Sequence, residues 1–219
     1  MQIKAILFDF DGTLANTVDL IIATFEHTCR TMLGTVPPRA AIVNTFGLPL
    51  GDAMLALSGR AELVEQMRDV YREYNNKHHD EMIKPIAGVL ETLAALKEQD
   101  IKIAVVTSKK QPMVLRGICC LQLDQYIDAV IALDDTQESK PHAEPMLAAC
   151  AKLGVAPQEC LCVGDSPFDL QSGRNAGART VAVRYTAFAW EKIMAEGRPD
   201  YVIEQPQELL ELVKGEGEI

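Results

Sequence analysis

Two aspartates lie one residue apart near the start of the chain, directly after a run of apolar side chains. The apolar run occupies residues 3–8, and Asp9, Asp11 and Gly12 follow it. Its length and composition are typical of a buried parallel strand, whose carboxyl end is where open α/β sheets bind ligands. Two carboxylates held together repel each other unless a cation lies between them. Oxygen ligands suit Mg²⁺, and Gly12 lets the backbone turn sharply beside a ligand, so we predict a magnesium site here.

The chain that follows these aspartates has two kinds of sequence pattern, one helical and one in which helices alternate with strands. Residues 17–80 have apolar side chains at helical spacing and predict an all-helical insert. Beyond it, helices alternate with predicted strands at 101–106, 129–133, 160–163, 180–183 and 201–203. This alternation predicts an α/β fold with a doubly wound parallel sheet in the order 3-2-1-4-5-6. We therefore expect one core domain from residues 1–16 and 81–219, a helical domain at 17–80, and a frayed tail at 215–219.

Hydroxyl and ammonium groups follow the second predicted strand. Thr107, Ser108 and Lys109 come directly after it, and a predicted helix starts near residue 112. A hydroxyl beside free backbone N–H groups at a helix N-terminus can bind an anion. The same residues could instead simply cap the helix, and the local sequence leaves both readings open.

Three charged residues follow the third and fourth predicted strands. Lys140 precedes a proline and a helix, and a lysine in such a loop is usually a solvated surface charge. Asp165 and Asp169 follow the fourth strand, which should lie beside the first one. Four acids converging at one sheet edge would cost several kcal/mol without a cation, on the order of 3–5 kcal/mol for an uncompensated buried charge.

The hexapeptide Asp-Phe-Asp-Gly-Thr-Leu at residues 9–14 resembles the first motif of the haloacid dehalogenase superfamily. Most members of that superfamily are Mg²⁺-dependent phosphohydrolases. Thr107, Lys140 and the Gly-Asp-x-x-x-Asp at 164–169 are similar to its second, third and fourth motifs, in the same order. The helical insert stands where a C1-type cap is expected in this superfamily. The resemblance thus covers nearly the whole chain.

The resemblance implies a role for each motif residue. Asp9 would attack phosphorus and form an aspartyl-phosphate, and Asp11 would act as the general acid and base. Lys140 would neutralise the phosphoryl group and steady Asp9. The resemblance implies substrate binding by Gly12, Thr13, Thr107, Ser108 and Lys109, and metal binding by Asp9, Asp11, Asp165 and Asp169. Dehalogenases of the superfamily lack an acid two residues after the nucleophile, so Asp11 favours phosphoryl transfer.

Composition restricts the partners of the chain. The 219 residues are 48% hydrophobic and carry a formal net charge of −10, which disfavours nucleic acid and anionic membranes as partners. No apolar run is long enough to span a membrane, and Asp9 interrupts the first run too early for a signal peptide. The spacing of the six cysteines predicts reduced thiols in a cytoplasmic protein. We expect a small anionic phosphorylated metabolite as substrate, and a monomer or small homo-oligomer.

The sequence leaves several functions open. Residues 140–145, Lys-Pro-x-x-Glu-Pro, and the Pro-Asp-Tyr-Val-Ile at 199–203 resemble phosphoglycolate phosphatases and their pyrophosphatase-like relatives. An inorganic pyrophosphatase or nucleotide phosphatase, a β-phosphoglucomutase-like sugar phosphomutase and a non-catalytic regulator are the alternatives. Substrate choice should reside in the helical insert, where the turn at 47–50 and Arg60 are candidate contacts, with Lys109 facing them from the core.

Overall fold

Six parallel strands form the central sheet of the computed structural model, which describes residues 2–215. The strands are β1 (Ala5–Phe8), β4 (Lys102–Val106), β5 (Ala129–Ile131), β6 (Cys160–Gly164), β7 (Arg179–Val183) and β8 (Tyr201–Ile203). Their order across the sheet is β5-β4-β1-β6-β7-β8. This order is the predicted 3-2-1-4-5-6 with the first strand central, so the predicted fold class is confirmed. Apart from Gly215, the tail expected to fray lies outside the described residues.

Strand β1 is buried on both faces, which explains its continuous apolar sequence. Ile6 and Phe8 belong to one hydrophobic cluster, and Ala5 and Leu7 belong to another on the opposite face. The helices that follow the insert cover these faces: α5 (Val89–Glu98), α6 (Gln111–Cys120), α7 (Glu144–Leu153), α8 (Pro167–Ala176), α9 (Trp190–Lys192) and α10 (Leu209–Lys214). The sheet and its two helical layers thus form a three-layer core.

Four helices lie between the first and second strands of the sheet. They are α1 (Val18–Leu33), α2 (Arg39–Val43), α3 (Leu50–Ser58) and α4 (Val64–Met82), and together we name them the helical segment. They share a hydrophobic cluster that includes Phe25, Met54 and Met67, and this cluster continues onto Phe188 of the core. A two-stranded antiparallel ribbon of β2 (Ala15–Asn16) and β3 (Lys84–Pro85) joins the segment to the sheet. No helix within residues 2–215 is long and apolar enough to cross a membrane.

Several element boundaries differ from the sequence prediction. The sequence pattern predicts one helix over 61–79, whereas the structure has a short 3₁₀ turn followed by α4, which continues three residues further, to Met82. The strand predicted at 129–133 stops at Ile131, because Asp135 accepts a hydrogen bond from the N–H of Ala132 and closes a 3₁₀ turn. The pattern also predicts a helix over 188–195, whereas the structure has one α turn followed by a π turn, Ile193–Gly197.

The strand register brings distant parts of the chain to one sheet edge. Phe8 of β1 lies beside Val105 of β4 and Val163 of β6. The residues that follow these three strands are therefore neighbours, although more than 150 positions separate β1 from β6 in the sequence. The N–H of Asp9 continues the ladder by donating to the carbonyl of Val163 over 2.9 Å. This edge is where the chemically active residues meet.

Candidate active site

A buried lysine joins two aspartates at the carboxyl edge of the sheet. The Nζ of Lys140 donates to Oδ1 of Asp9 at 2.7 Å, to Oδ1 of Asp169 at 2.6 Å and to the carbonyl of Val106 at 3.0 Å. Lys140 is 4% exposed, so its ammonium is not a solvated surface charge. All three of its donor positions are used, which fixes the Asp9 carboxylate in one orientation.

The charges of this cluster change the protonation of its members. Burial, together with the nearby Asp169 and Asp11 carboxylates, raises the pKa of Asp9 to about 7, although Lys140 acts in the opposite direction. Burial, Asp169 and Asp9 also raise the pKa of Asp165 well above its ordinary value. Burial lowers the pKa of Lys140, but the carboxylates of Asp169 and Asp9 outweigh it and hold that pKa above its usual range. The lysine is thus a permanent cation, and one cation does not fully neutralise three acids.

The donor atoms at this edge fit a divalent cation. Asp9, Asp165 and Asp169 each place a carboxylate oxygen within 4.8 Å of the others, and all three are buried. Burial is the main cause of the raised pKa values of Asp9 and Asp165, and neighbouring carboxylates, whose charge a cation would neutralise, add to both. Gly12, at φ +81°, lets the chain pass this close, since a Cβ there would lie 2.4 Å from Oδ2 of Asp165. A hard metal such as Mg²⁺ is the guest that such an all-oxygen set prefers.

The three acids are not equivalent within the cluster. Asp169 has both oxygens engaged, because Oδ1 accepts from Lys140 and Oδ2 accepts from the N–H and the hydroxyl of Ser166. Asp9 and Asp165 line the adjoining cavity, whereas Asp169 does not. Asp169 is therefore placed to orient Lys140 and the start of α8, while Asp9 and Asp165 offer oxygens to a ligand.

The second aspartate of the first motif is held apart from this cluster. Oδ1 of Asp11 accepts from Nζ of Lys109 at 2.5 Å, and both side chains are partly exposed to the cavity. The carboxylate of Asp11 is not among the three that converge. Its side chain is thus available to a reacting group in the cavity, with Lys109 as its present partner.

The hydroxyls of Thr107 and Ser108, which follow β4, do not cap helix α6, whose N-cap residue is Lys110. Oγ1 of Thr107 accepts from the N–H of Lys109 at 3.2 Å and lines the cavity. The hydroxyl of Ser108 donates to the carbonyl of Gly47, which belongs to the helical segment, at 2.8 Å.

The main-chain donors at the start of α6 are only partly satisfied. The N–H of Gln111 donates to Asp134, residue 112 is a proline, and the N–H groups of Met113 and Val114 donate to the carbonyl of Lys110. The N–H groups of Ser108 and Lys110, which precede the helix, have no acceptor within residues 2–215, so the backbone anion site stays a prediction.

A cavity of about 460 Å³ opens above Asp9 between the sheet edge and the helical segment. The turn at 47–50 lines it, as do Gly12, Thr107, Ser108 and Lys109. Thr13 and Arg60 do not: Thr13 is buried with a hydroxyl that has no partner within residues 2–215, and Arg60 is exposed. The structure thus brings most of the predicted contacts together but leaves these two outside.

Sequence reasoning missed two groups of residues at the site. Ser166 forms a capping box with Asp169, a pattern that Ser-x-x-Asp before a helix could have indicated. Polar residues of α4 also line the cavity: Arg68, Tyr71, Arg72, Asn75 and Asn76. On a helix this polar, nothing in the sequence separates a cavity face from a solvated one.

Comparison with known proteins agrees with this geometry. The family model described as "Haloacid dehalogenase-like hydrolase" matches residues 6–183, and the chain belongs to that family. The "Putative pyrophosphatase PpaX" of Clostridium perfringens is 44% identical over 97% of this chain and 98% of its own length. "Pyrophosphatase PpaX" of Halalkalibacterium halodurans is 39% identical, again over 97% and 98%.

A solved structure agrees in fold. The structure of a "predicted phosphoglycolate phosphatase" from Haemophilus somnus is similar with a TM-score of 0.89 and 22% identity, over 97% of this chain and 98% of the other. The protein is thus an enzyme of the haloacid dehalogenase-like hydrolases, as its first motif predicted.

Proposed function

We propose that the chain is a Mg²⁺-dependent phosphohydrolase that acts through an aspartyl-phosphate on Asp9. The observation that carries this proposal is the fixed Asp9 carboxylate, which Lys140 holds at 2.7 Å while Asp9 itself faces the cavity. A nucleophile held in one orientation needs no reorganisation before in-line attack. The buried ammonium of Lys140, which is bonded to Asp9, would stabilise the negative charge that accumulates when a phosphoryl group approaches.

The other core residues would act around this nucleophile. Thr107 would donate its hydroxyl hydrogen to a phosphoryl oxygen, since that hydrogen has no acceptor within residues 2–215. Asp11 would protonate the leaving oxygen and then take a proton from the water that hydrolyses the intermediate. This role requires the pair of Asp11 with Lys109 to open, and the freed ammonium could then bind the substrate anion.

The metal would be held by the carboxylates of Asp9 and Asp165, with the main-chain carbonyl of Asp11 as the third protein ligand that the family resemblance implies. When bound, Mg²⁺ would reduce the repulsion between Asp9 and an anionic phosphoryl group. Asp169 would contribute indirectly, because its two oxygens already orient Lys140 and Ser166.

Inorganic pyrophosphate is the substrate that we favour. The supporting observation is that relatives 36–44% identical over nearly the whole chain are named pyrophosphatases. Small phosphate esters such as phosphoglycolate are the second candidate, because the cavity wall also carries apolar side chains, among them Phe25 and Leu50, that suit a carbon skeleton. We propose that the helical segment acts as a cap that closes over either substrate, with residues 17–80 as a separate domain.

A panel of phosphate compounds tests this proposal. The purified protein should release phosphate from pyrophosphate faster than from phosphoglycolate, nucleotides or sugar phosphates, and excess EDTA should abolish the activity. Calcium should inhibit, since its looser and higher coordination would misplace the nucleophile. Full activity in EDTA would exclude this chemistry. Activation on a sugar phosphate by a catalytic amount of its bisphosphate would instead reveal a mutase.

A further inference from the structure

One face of α4 lines the cavity with polar side chains, several of whose polar atoms have no partner within residues 2–215. Arg68, Tyr71 and Asn75 are spaced three and four residues apart, so they lie along one side of the helix, and all three line the cavity. We name these three residues the α4 face. It lies across the cavity from the sheet edge that carries Asp9, and none of the motifs includes it.

Asn75 is the clearest of the three. The residue is only 6% exposed, it lines the cavity, and no hydrogen bond of its side-chain amide is formed within residues 2–215. An asparagine amide has two donor positions and an acceptor oxygen. Because these atoms are open to the cavity and bond to no neighbouring residue, they are suited to a guest in that cavity.

The neighbours of Asn75 supply donors. Nη1 of Arg68 pairs with Glu65 at 2.5 Å, but its buried Nε has no partner in the described part of the chain. The ring of Tyr71 packs on Phe25 at 4.9 Å between ring centres, and no hydrogen bond to its hydroxyl is formed within residues 2–215. Burial raises the pKa of Tyr71, and the Asp11 carboxylate adds to the rise, so the phenol remains a donor at neutral pH.

The guest that fits such donors is an anion. The Nε of arginine can only donate, a phenol held protonated donates, and the asparagine amide offers two more hydrogens. The α4 face belongs to the helical segment, which lines the cavity together with the sheet edge that carries Asp9. A substrate whose phosphorus lies at Asp9 would therefore direct its other group towards the α4 face.

We propose that the α4 face is the subsite for the second anionic group of the substrate, the group that departs when Asp9 takes the first. In pyrophosphate this is the second phosphoryl group, and in a phosphoglycolate-like ester it is the carboxylate. The inference rests on the proposed function for the position of the attacked phosphorus. Such a subsite would make the protein prefer substrates with two anionic groups to substrates with one.

Binding of a matched pair of inert compounds tests this subsite. Methylenediphosphonate carries two phosphonate groups and methylphosphonate carries one, and calorimetry would measure both at constant free Mg²⁺. The wild-type protein should bind methylenediphosphonate more tightly. Tyr71→Phe, Asn75→Leu and Arg68→Gln should each weaken that binding about tenfold to a hundredfold, which is typical of losing a hydrogen bond to a charged group. Binding of methylphosphonate should change less than about twofold, because the α4 face would not contact it.

Tyr74→Phe is the control. Tyr74 lies on the same helix, stacks on His27 and His78 and does not line the cavity, so its substitution should change neither affinity. Tyr71→Phe keeps the ring that packs on Phe25, so the test remains available if Asn75→Leu does not fold. Equal weakening of both compounds, no weakening of either, or equal binding of the two by the wild-type protein would overturn the proposal.

Turnover separates this inference from the proposed function. If the protein does not hydrolyse pyrophosphate or any ester, yet the difference between the two phosphonates is present and is lost in Tyr71→Phe, the subsite stands and the proposed function fails. If the protein hydrolyses pyrophosphate and Tyr71→Phe leaves its KM unchanged, the proposed function stands and the subsite is wrong.

Discussion

The two sides of the cavity differ in how far their polar atoms are satisfied. On the sheet side, Lys140 uses all three donors, and Asp169 has both oxygens occupied. On the opposite side, the buried Nε of Arg68 has no partner within residues 2–215, and the amide of Asn75 is open to the cavity. The saturated side can hold a nucleophile still in the absence of substrate. We expect a ligand to complete the unsaturated side, so that the sheet side would serve the reaction and the opposite side would serve recognition.

The same comparison explains where charge remains. One lysine faces the clustered carboxylates of Asp9 and Asp169, with Asp165 close by, and the pKa of Asp9 remains raised to about 7. Burial is the main cause of this rise, and the neighbouring Asp169 and Asp11 carboxylates add to it. We therefore expect the sheet side to bind a cation, whereas the α4 face is proposed to bind an anion.

The largest effect should come from breaking the sheet side at Asp9. Asp9→Asn keeps the shape and a hydrogen bond to Lys140 but removes the nucleophile, so kcat should fall at least about a hundredfold, or about 2.7 kcal/mol. A steady-state assay on the best substrate of the panel measures this. Thermal unfolding should show that the variant is folded. A kcat within about tenfold of the wild type would remove Asp9 from the role of nucleophile.

Exchanging the opposite side should change selectivity and not the chemistry. Replacing residues 18–82 with the corresponding helices of a relative leaves every motif residue in place, because the β2–β3 ribbon provides both junctions. We expect kcat/KM ratios between substrates to change by about tenfold or more, or about 1.4 kcal/mol. Acid quenching during turnover should still trap phosphate on Asp9. A folded chimera with an unchanged substrate ranking would place specificity elsewhere.

The stability of the metal-free protein should depend on pH through the sheet side. Burial raises the folded pKa of Asp9 to about 7, while the unfolded value is about 4. Between these values the folded chain holds a proton that the unfolded chain has lost. The free energy of unfolding therefore falls as pH rises from about 4 to about 7, and Asp165 contributes with the same sign.

The measurement is thermal unfolding in EDTA at pH 5 and pH 8, compared between the wild type and Asp9→Asn. The difference between the two proteins isolates Asp9 from groups of opposite sign, such as His79, whose pKa burial lowers. The wild type should lose more stability than the variant between these pH values, and Mg²⁺ should reduce the loss. Parallel curves for the two proteins would show that the Asp9 carboxyl does not titrate in this range.

The smallest effect should come from the contact between the two sides. Ser108→Ala removes the hydrogen bond to the carbonyl of Gly47 and leaves that carbonyl beside the cavity. Because the bond is only partly buried, kcat/KM should fall about threefold, with little change in Tm. Thr136→Ala, which removes a hydroxyl from an exposed loop, is the control. A loss greater than about thirtyfold would mean that Ser108 contacts the substrate itself.

The fold and the sheet side were largely predictable because their signals are local. An apolar strand followed by Asp9 and Asp11 indicates both a buried strand and a ligand site at its end. The strand order followed from alternation and handedness. The boundaries of the helix predicted at 188–195 did not follow, since a π turn at 193–197 leaves no periodic signal.

The sequence by itself determined which residue types stand at each strand end, and thereby the family and the chemistry. Only the tertiary structure decided how they pair. Lys140 reaches Asp9 across 131 positions, Asp169 pairs its two oxygens with Lys140 and Ser166, and the first N–H of α6 donates to Asp134. The α4 face was invisible in the sequence for the same reason. Whether a polar side chain on a helix meets water or a cavity depends on what lies opposite it, and here the cavity is shared with Asp9, which lies more than fifty residues earlier in the chain.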